Sequence, residues 1–101
     1  MSAVIDVSDW RVMRAKRGHT LAFYVIGYVA LNDDSIISGA IRKWDGDAAI
    51  ATTDKQERIR LVGAPKFNRS VENDWERWCN RKGIEDAVDI SSRYWRGKVI
   101  A

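Results

Sequence analysis

One histidine, His19, and one cysteine, Cys79, are all that this chain of 101 residues offers of the side chains most used as nucleophile, proton shuttle or soft metal ligand. A structural zinc site draws its four ligands largely from those two types, so no metal is expected. His19 follows Gly18 in a predicted turn, and Cys79 lies on the apolar stripe of a predicted helix, where cysteine is usually core. A Cys-His dyad is therefore not expected. Asp33, Asp34, Asp45, Asp47 and Asp54 fall in predicted turns, where aspartate bonds its own backbone. The chain has no glycine-rich phosphate loop and no G-x-S-x-G elbow. These absences point to a protein that is not an enzyme and carries no cofactor.

Binding is the better prospect, and its candidates are Arg42, Trp44, Arg58 and Arg60. They lie in the stretch Ser35 to Gly63, which reads as three short antiparallel strands. Asp45-Gly46 between two strand-like runs signals a two-residue hairpin loop, because that turn needs positive φ at both central positions. Trp44 then faces Asp47, Ile41 faces Ile50, and Gly39 faces Thr52. The polar run Asp54 to Glu57 reads as a four-residue loop that sets Thr53 opposite Arg58, Thr52 opposite Ile59 and Ile50 opposite Leu61.

Alternation sorts these strands into an aliphatic face of Ile37, Ile41, Ile50, Ile59 and Leu61. The other face carries Ala40, Arg42, Ala49, Ala51, Arg58, Arg60 and Val62. Antiparallel sheets commonly leave one face to water. The functional reading of this one is a docking surface for an anionic partner. Trp44 is expected partly exposed beside the arginines, a combination typical of an interface hot spot. A secondary basic patch is read from Arg11, Arg14, Lys16 and Arg17, since Trp10 to Asn32 contains no acidic residue.

The remaining elements would position this face. Residues 1–8 read as a lead-in or edge strand, and Trp10 to Arg17 as a charged edge strand. Thr20 to Leu31 is apolar on both sides, with Leu21, Phe23, Val25, Val29 and Leu31 on one and Tyr24, Ile26 and Tyr28 on the other, so it reads as a central strand. Gly27 could mark a bulge. Ser70 is the expected N-cap of a helix whose stripe is Val71, Trp75, Trp78 and Cys79, with Gly83 past its end. Ile84 to Trp95 reads as a second helix stopped by Gly97, although a strand through Ala87–Ser91 is the alternative. The expected fold is α+β: an antiparallel meander of about four to five strands, packed on one face by one or two C-terminal helices, whose tryptophans cover the isoleucines.

Composition agrees with a single domain spanning residues 1–101: 46% hydrophobic, 31% charged, one proline and seven glycines. The lone cysteine fits a reducing compartment. No secretory signal is apparent, and the longest apolar run, Leu21 to Leu31, is too short to span a bilayer, so a cytoplasmic location and no membrane partner are expected. The net charge of +3 is weak by itself, but Ser91 to Ala101 adds Arg93, Arg96 and Lys98 without opposing acids.

The segment Thr52 to Gly63, TTDKQERIRLVG, resembles a pattern T-T-x-S-G-S-x-Y-x-L-x-G found in small proteins of proteobacterial phages, prophages and plasmids. Thr52, Thr53, Leu61 and Gly63 match. Lys55, Gln56 and Glu57 stand at the S-G-S turn, and Ile59 stands at the tyrosine. The resemblance implies an accessory factor, including the anti-CRISPR kind that occupies a surface on a large host effector complex without cofactor or turnover. It brings no site residues. The expectation is thus a non-catalytic protein-binding module. The alternative is a small basic nucleic-acid binder.

Overall fold

The strand β1 (Val4–Arg17) belongs to two sheets at once, and the fold turns on how it manages this. The computed structural model describes residues 3–95; residues 96–101, with the predicted stop at Gly97 and the cations Arg96 and Lys98, lie outside the described residues. After β1 come β2 (Thr20–Val29), β3 (Asp34–Asp45), β4 (Ile50–Thr53), β5 (Arg58–Leu61), α1 (Arg69–Lys82) and β6 (Asp86–Asp89). Short 3-10 turns occupy Ala30–Asn32 and Ser91–Arg93.

A front sheet is built from the second half of β3, then β4, β5 and the first half of β1. A back sheet runs β6, second half of β1, β2, first half of β3. All pairings are antiparallel except β1 with β5, and the ring β1–β2–β3–β4–β5–β1 closes on itself.

Sharing a strand between two sheets requires a corner, and a bulge supplies one. In β1 an extra residue intervenes between Ser8 and Arg11, where Asp9 takes φ of 47°. Alternation therefore restarts, so that Val7 before the bulge and Trp10 and Val12 after it all enter the core between the sheets. β3 turns its corner in the same manner. Ser38 there accepts the Val25 amide at 2.9 Å, so the extra residue strands no buried donor. Between the sheets lie Val7, Trp10, Val12, Val25, Ala51 and Ile59, all at most 1% exposed.

The helix covers the other side of the back sheet. Its stripe of Val71, Trp75, Trp78 and Cys79 is as the periodicity predicts, and packs on Met13, Ala15, Tyr24 and Ile26. Trp75 and Trp78 stack at 5.1 Å, and Tyr24 meets Trp78 edge-on at 4.9 Å. Gly83 ends the helix in the left-handed region at φ of 72°. The N-cap is Asn68 and not Ser70, because the Asn68 side chain takes the amides of Ser70 and Val71 while its amide group donates to Asp9 at 3.0 Å. The bulge in β1 thus also anchors the start of the helix.

The architecture is α+β and mostly antiparallel, with three corrections to the expected one. The sheet has six strands and is mixed, where a four- to five-stranded antiparallel meander was expected. There is one helix among the described residues: the segment read as a second helix forms β6, because its backbone completes the open edge of β1, with Glu85 N donating to Lys16 O and Ile90 N to Val12 O. Trp10 to Arg17 is accordingly a central strand and not an edge. Finally, α1 does not cover Ile41, Ile59 and Leu61. Those face the second sheet, and the helix tryptophans pack on the far side of it.

Arg11 joins these layers. It pairs with Glu72 of α1 and donates Nε to Asp89 of β6 at 2.8 Å. Partial burial pushes the Asp89 carboxyl up, but donation from the Ser91 hydroxyl and amide and from Arg11 outweighs it and holds the group below the usual carboxylate range. A carboxyl depressed by folding stabilises above its unfolded value and loses that contribution as pH falls through its folded value. Unfolding free energy is therefore expected to drop below about pH 4, and less steeply in Asp89→Asn. Urea titrations at neutral and acid pH test this; identical pH slopes for the two proteins would remove Asp89 from the account.

Candidate functional site

The outer face of the front sheet is defined by two rows of side chains that each cross four strands. One row is Val4, Arg58, Thr52 and Lys43; the other is Asp6, Arg60, Ile50 and Asp45. Neighbours in a row stand directly opposite on adjacent strands and so share a face. The helix packs on β2 and β3 of the back sheet and leaves this face open.

Local chemistry at the loops decides who stands there. The loop after β3 is Gly46–Ala49, not Asp45-Gly46: Asp45 Oδ1 accepts the amides of Asp47 and Ala48 at 3.0 and 3.2 Å, and the positive φ falls on Ala49 at 58°. The next loop is one residue shorter than expected. Thr53 N donates to Glu57 O at 3.0 Å and Gln56 takes φ of 63°, the three-residue form of hairpin. That slip turns Ala51 inward and Ile50 outward, the reverse of the predicted sorting. Arg58 and Arg60 keep their expected outward side.

Of the predicted contact residues, Arg42, Arg58 and Arg60 are exposed, but they are not equivalent. Arg60 donates Nε to Asp6 Oδ1 at 2.8 Å, so its charge is largely matched. Arg42 sits where β3 bulges between Ile41 and Lys43. Arg42, Lys43 and Arg58 have no ion-pair partner among the described residues. Trp44 leaves the group. It is partly exposed as expected, but it pairs across to Ala51 and so lies on the inner side, packed against the margin of the core, where it meets Tyr94 edge-on at 4.9 Å.

The secondary patch also divides. Arg11 and Arg17 share one face of β1 with Met13 and Ala15, while Arg14 and Lys16 stand on the opposite face with Val12. Arg11 is occupied by its two carboxylates. Cys79 is half-buried against the sheet; burial, with Glu72 and Glu76 nearby, pushes its thiol up to about 11, so it holds its proton at neutral pH. His19 is exposed in the turn between β1 and β2.

Lys43, Thr52 and Asp6 were not singled out from sequence. Lys43 and Thr52 depend on the true loop lengths, and Asp6 reaches Arg60 only through the parallel pairing of β1 with β5, which has no local signature. No group of three or more histidine, cysteine or acidic side chains among the described residues could hold a metal ion. No described helix is long and apolar enough to cross a membrane. Compared with protein-family models, curated proteins and solved structures, the chain finds no match.

Proposed function

We propose that this chain is a non-catalytic binding module that docks an acidic protein surface on the outer face of its front sheet. The observation that supports this is a set of unmatched cations on an open four-stranded surface: Lys43 and Arg58 flank Thr52 on the neighbouring strands, and exposed Arg42 sits in the bulge beside Lys43. Cross-strand pairing holds their backbones in place, so little ordering cost falls on association. Ile50 in the neighbouring row adds apolar area, and Asp6 and Asp45 interrupt the positive charge. Such interspersed charge suits a protein partner with its own mixed pattern better than a uniform phosphate backbone. In keeping with the phage and plasmid resemblance, the partner class we favour is a large host defence complex, bound stoichiometrically from the cytoplasm of the host.

The test is a charge reversal. Lys43→Glu plus Arg58→Glu is expected to leave the melting temperature within a few degrees of wild type, both residues being exposed. Affinity for a captured partner should fall by about a hundredfold or more. Undiminished binding in that double variant removes this face from consideration. Salt dependence separates the alternative, a nucleic-acid ligand: neutralising about three phosphates gives a log–log slope near −2 to −3 that a protein partner need not share.

A further inference from the structure

A second site opens where β2 and β3 part. They pair as far as Tyr24 with Ala40; beyond that β3 enters the front sheet while Thr20–Phe23 stays with β1 in the back sheet. The gap, closed on one side by the end of α1, is a cavity of about 560 Å³. Ala15, Ala22 and Ala40 line it with small side chains that leave the space open. Tyr24 and Trp78, already in edge-on contact, form an aromatic wall.

Three cations from three elements reach this cavity: Arg17 from β1, Lys55 from the β4–β5 loop and Lys82 from the last turn of α1. None has an ion-pair partner among the described residues. The position of Lys55 is built in. Its stem lies on Gly39, where a methyl group would overlap Asp54 Oδ1 and sit 3.0 and 3.2 Å from Lys55 Cγ and Cδ. The same loop is tied down by Asp54 N donating to Ala40 O at 2.8 Å and Ala40 N donating to Asp54 Oδ1 at 3.1 Å. Asp54 Oδ2 and the Tyr24 hydroxyl have no hydrogen-bond partner among the described residues. Burial first, and then the Asp54 charge, push the Tyr24 hydroxyl up, so it remains a donor at neutral pH.

We propose that this cavity binds a nucleoside monophosphate, its phosphate among Arg17, Lys55 and Lys82 and its base against Tyr24 and Trp78. Three cations against one carboxylate favour an anion. Asp54 disfavours a bare anion but accepts from a ribose diol or a base amino group. The aromatic wall gains contact only from a ligand with a flat apolar part. The volume falls within the usual range of small-ligand sites, about 300–1,000 Å³. This site is separate from the front-sheet surface and does not rest on it.

The experiment is a calorimetric titration of the whole chain with AMP, GMP, CMP and UMP, with adenosine and inorganic phosphate as controls. At least one nucleotide is expected to bind with Kd below about 1 mM, and both controls about tenfold more weakly or worse. Lys55→Glu plus Lys82→Glu, both exposed, should weaken that nucleotide by about tenfold or more with an unchanged circular dichroism spectrum. Lys43→Glu plus Arg58→Glu should bind it as wild type does, which separates this result from the front-sheet one. The proposal is overturned by no saturable binding of any of the four at about 10 mM. It is equally overturned if phosphate alone binds as well as the nucleotide, meaning an adventitious ion only, or if reversing the two lysines changes nothing.

Discussion

Replacing Trp10 with alanine is expected to lower the free energy of unfolding by about 3–5 kcal/mol. Trp10 is 1% exposed and sits immediately after the bulge in β1, at the corner that both sheets share. Its indole fills the space between the sheets, and Nε1 donates to Gly63 O at 2.8 Å, which ties the chain leaving β5 to that corner. The Trp10 carbonyl accepts Lys66 N at 3.2 Å, so the same residue also steers the approach to α1. A domain of this size is commonly stable by only about 5–15 kcal/mol, so the variant stands near the edge of folding. Trp10→Phe keeps much of the volume but leaves the Gly63 carbonyl without its donor, and about 1–3 kcal/mol is expected there. Urea unfolding measures both. An alanine variant within about 1 kcal/mol of wild type would show that the corner does not depend on the indole.

The second large effect is expected at Gly27, where the failure is excess volume. A methyl group on Gly27 would overlap Val7 Cγ1 and lie 3.0 Å from Ser8 O and 3.2 Å from Trp10 Cα. The last two are backbone atoms of the bulge and cannot swing aside. Gly27→Ala is therefore expected to cost about 1–3 kcal/mol or more. Val7→Ala removes the nearest clash, so the double variant should be destabilised by less than the sum of the two single ones. Strict additivity of the two would mean that the strands do not approach as closely as described.

Much of this was legible where the deciding interactions are local. The stripe Val71, Trp75, Trp78 and Cys79 and the stop at Gly83 follow from periodicity and a left-handed cap, and all stand where expected. The two-sided apolar pattern of β2 correctly foretold cover on both faces, although Gly27 marks a close approach of β1 and not a bulge of its own. What escaped was set by distant partners. Asp86 to Asp89 became strand because β1 had an edge to fill, and the N-cap moved to Asn68 because Asp9 holds it. The arginine side of β5 could be read from alternation. Trp44, Ala51 and Ile50 could not, since their sides depend on Asp45 and Glu57 completing their loops. The cavity at Tyr24, Lys55 and Lys82 had no signal in sequence at all, its walls coming from separate elements.

The doubly used first strand has a consequence for how the chain is made. β1 leaves the ribosome before the elements it pairs with, yet its opening residues pair with Arg58–Leu61 and its closing ones with Asp86–Asp89. A nascent chain that has reached only Thr53 can zip β1 to β2 and β2 to β3, but the aliphatic side of that ribbon stays wet until β5 arrives, and its aromatic side until α1 does. Pairings of such sequence separation form slowly. Synthesis and folding are thus out of step: among the strands of this fold, β1 is translated before all the others and is the last to have every neighbour in place.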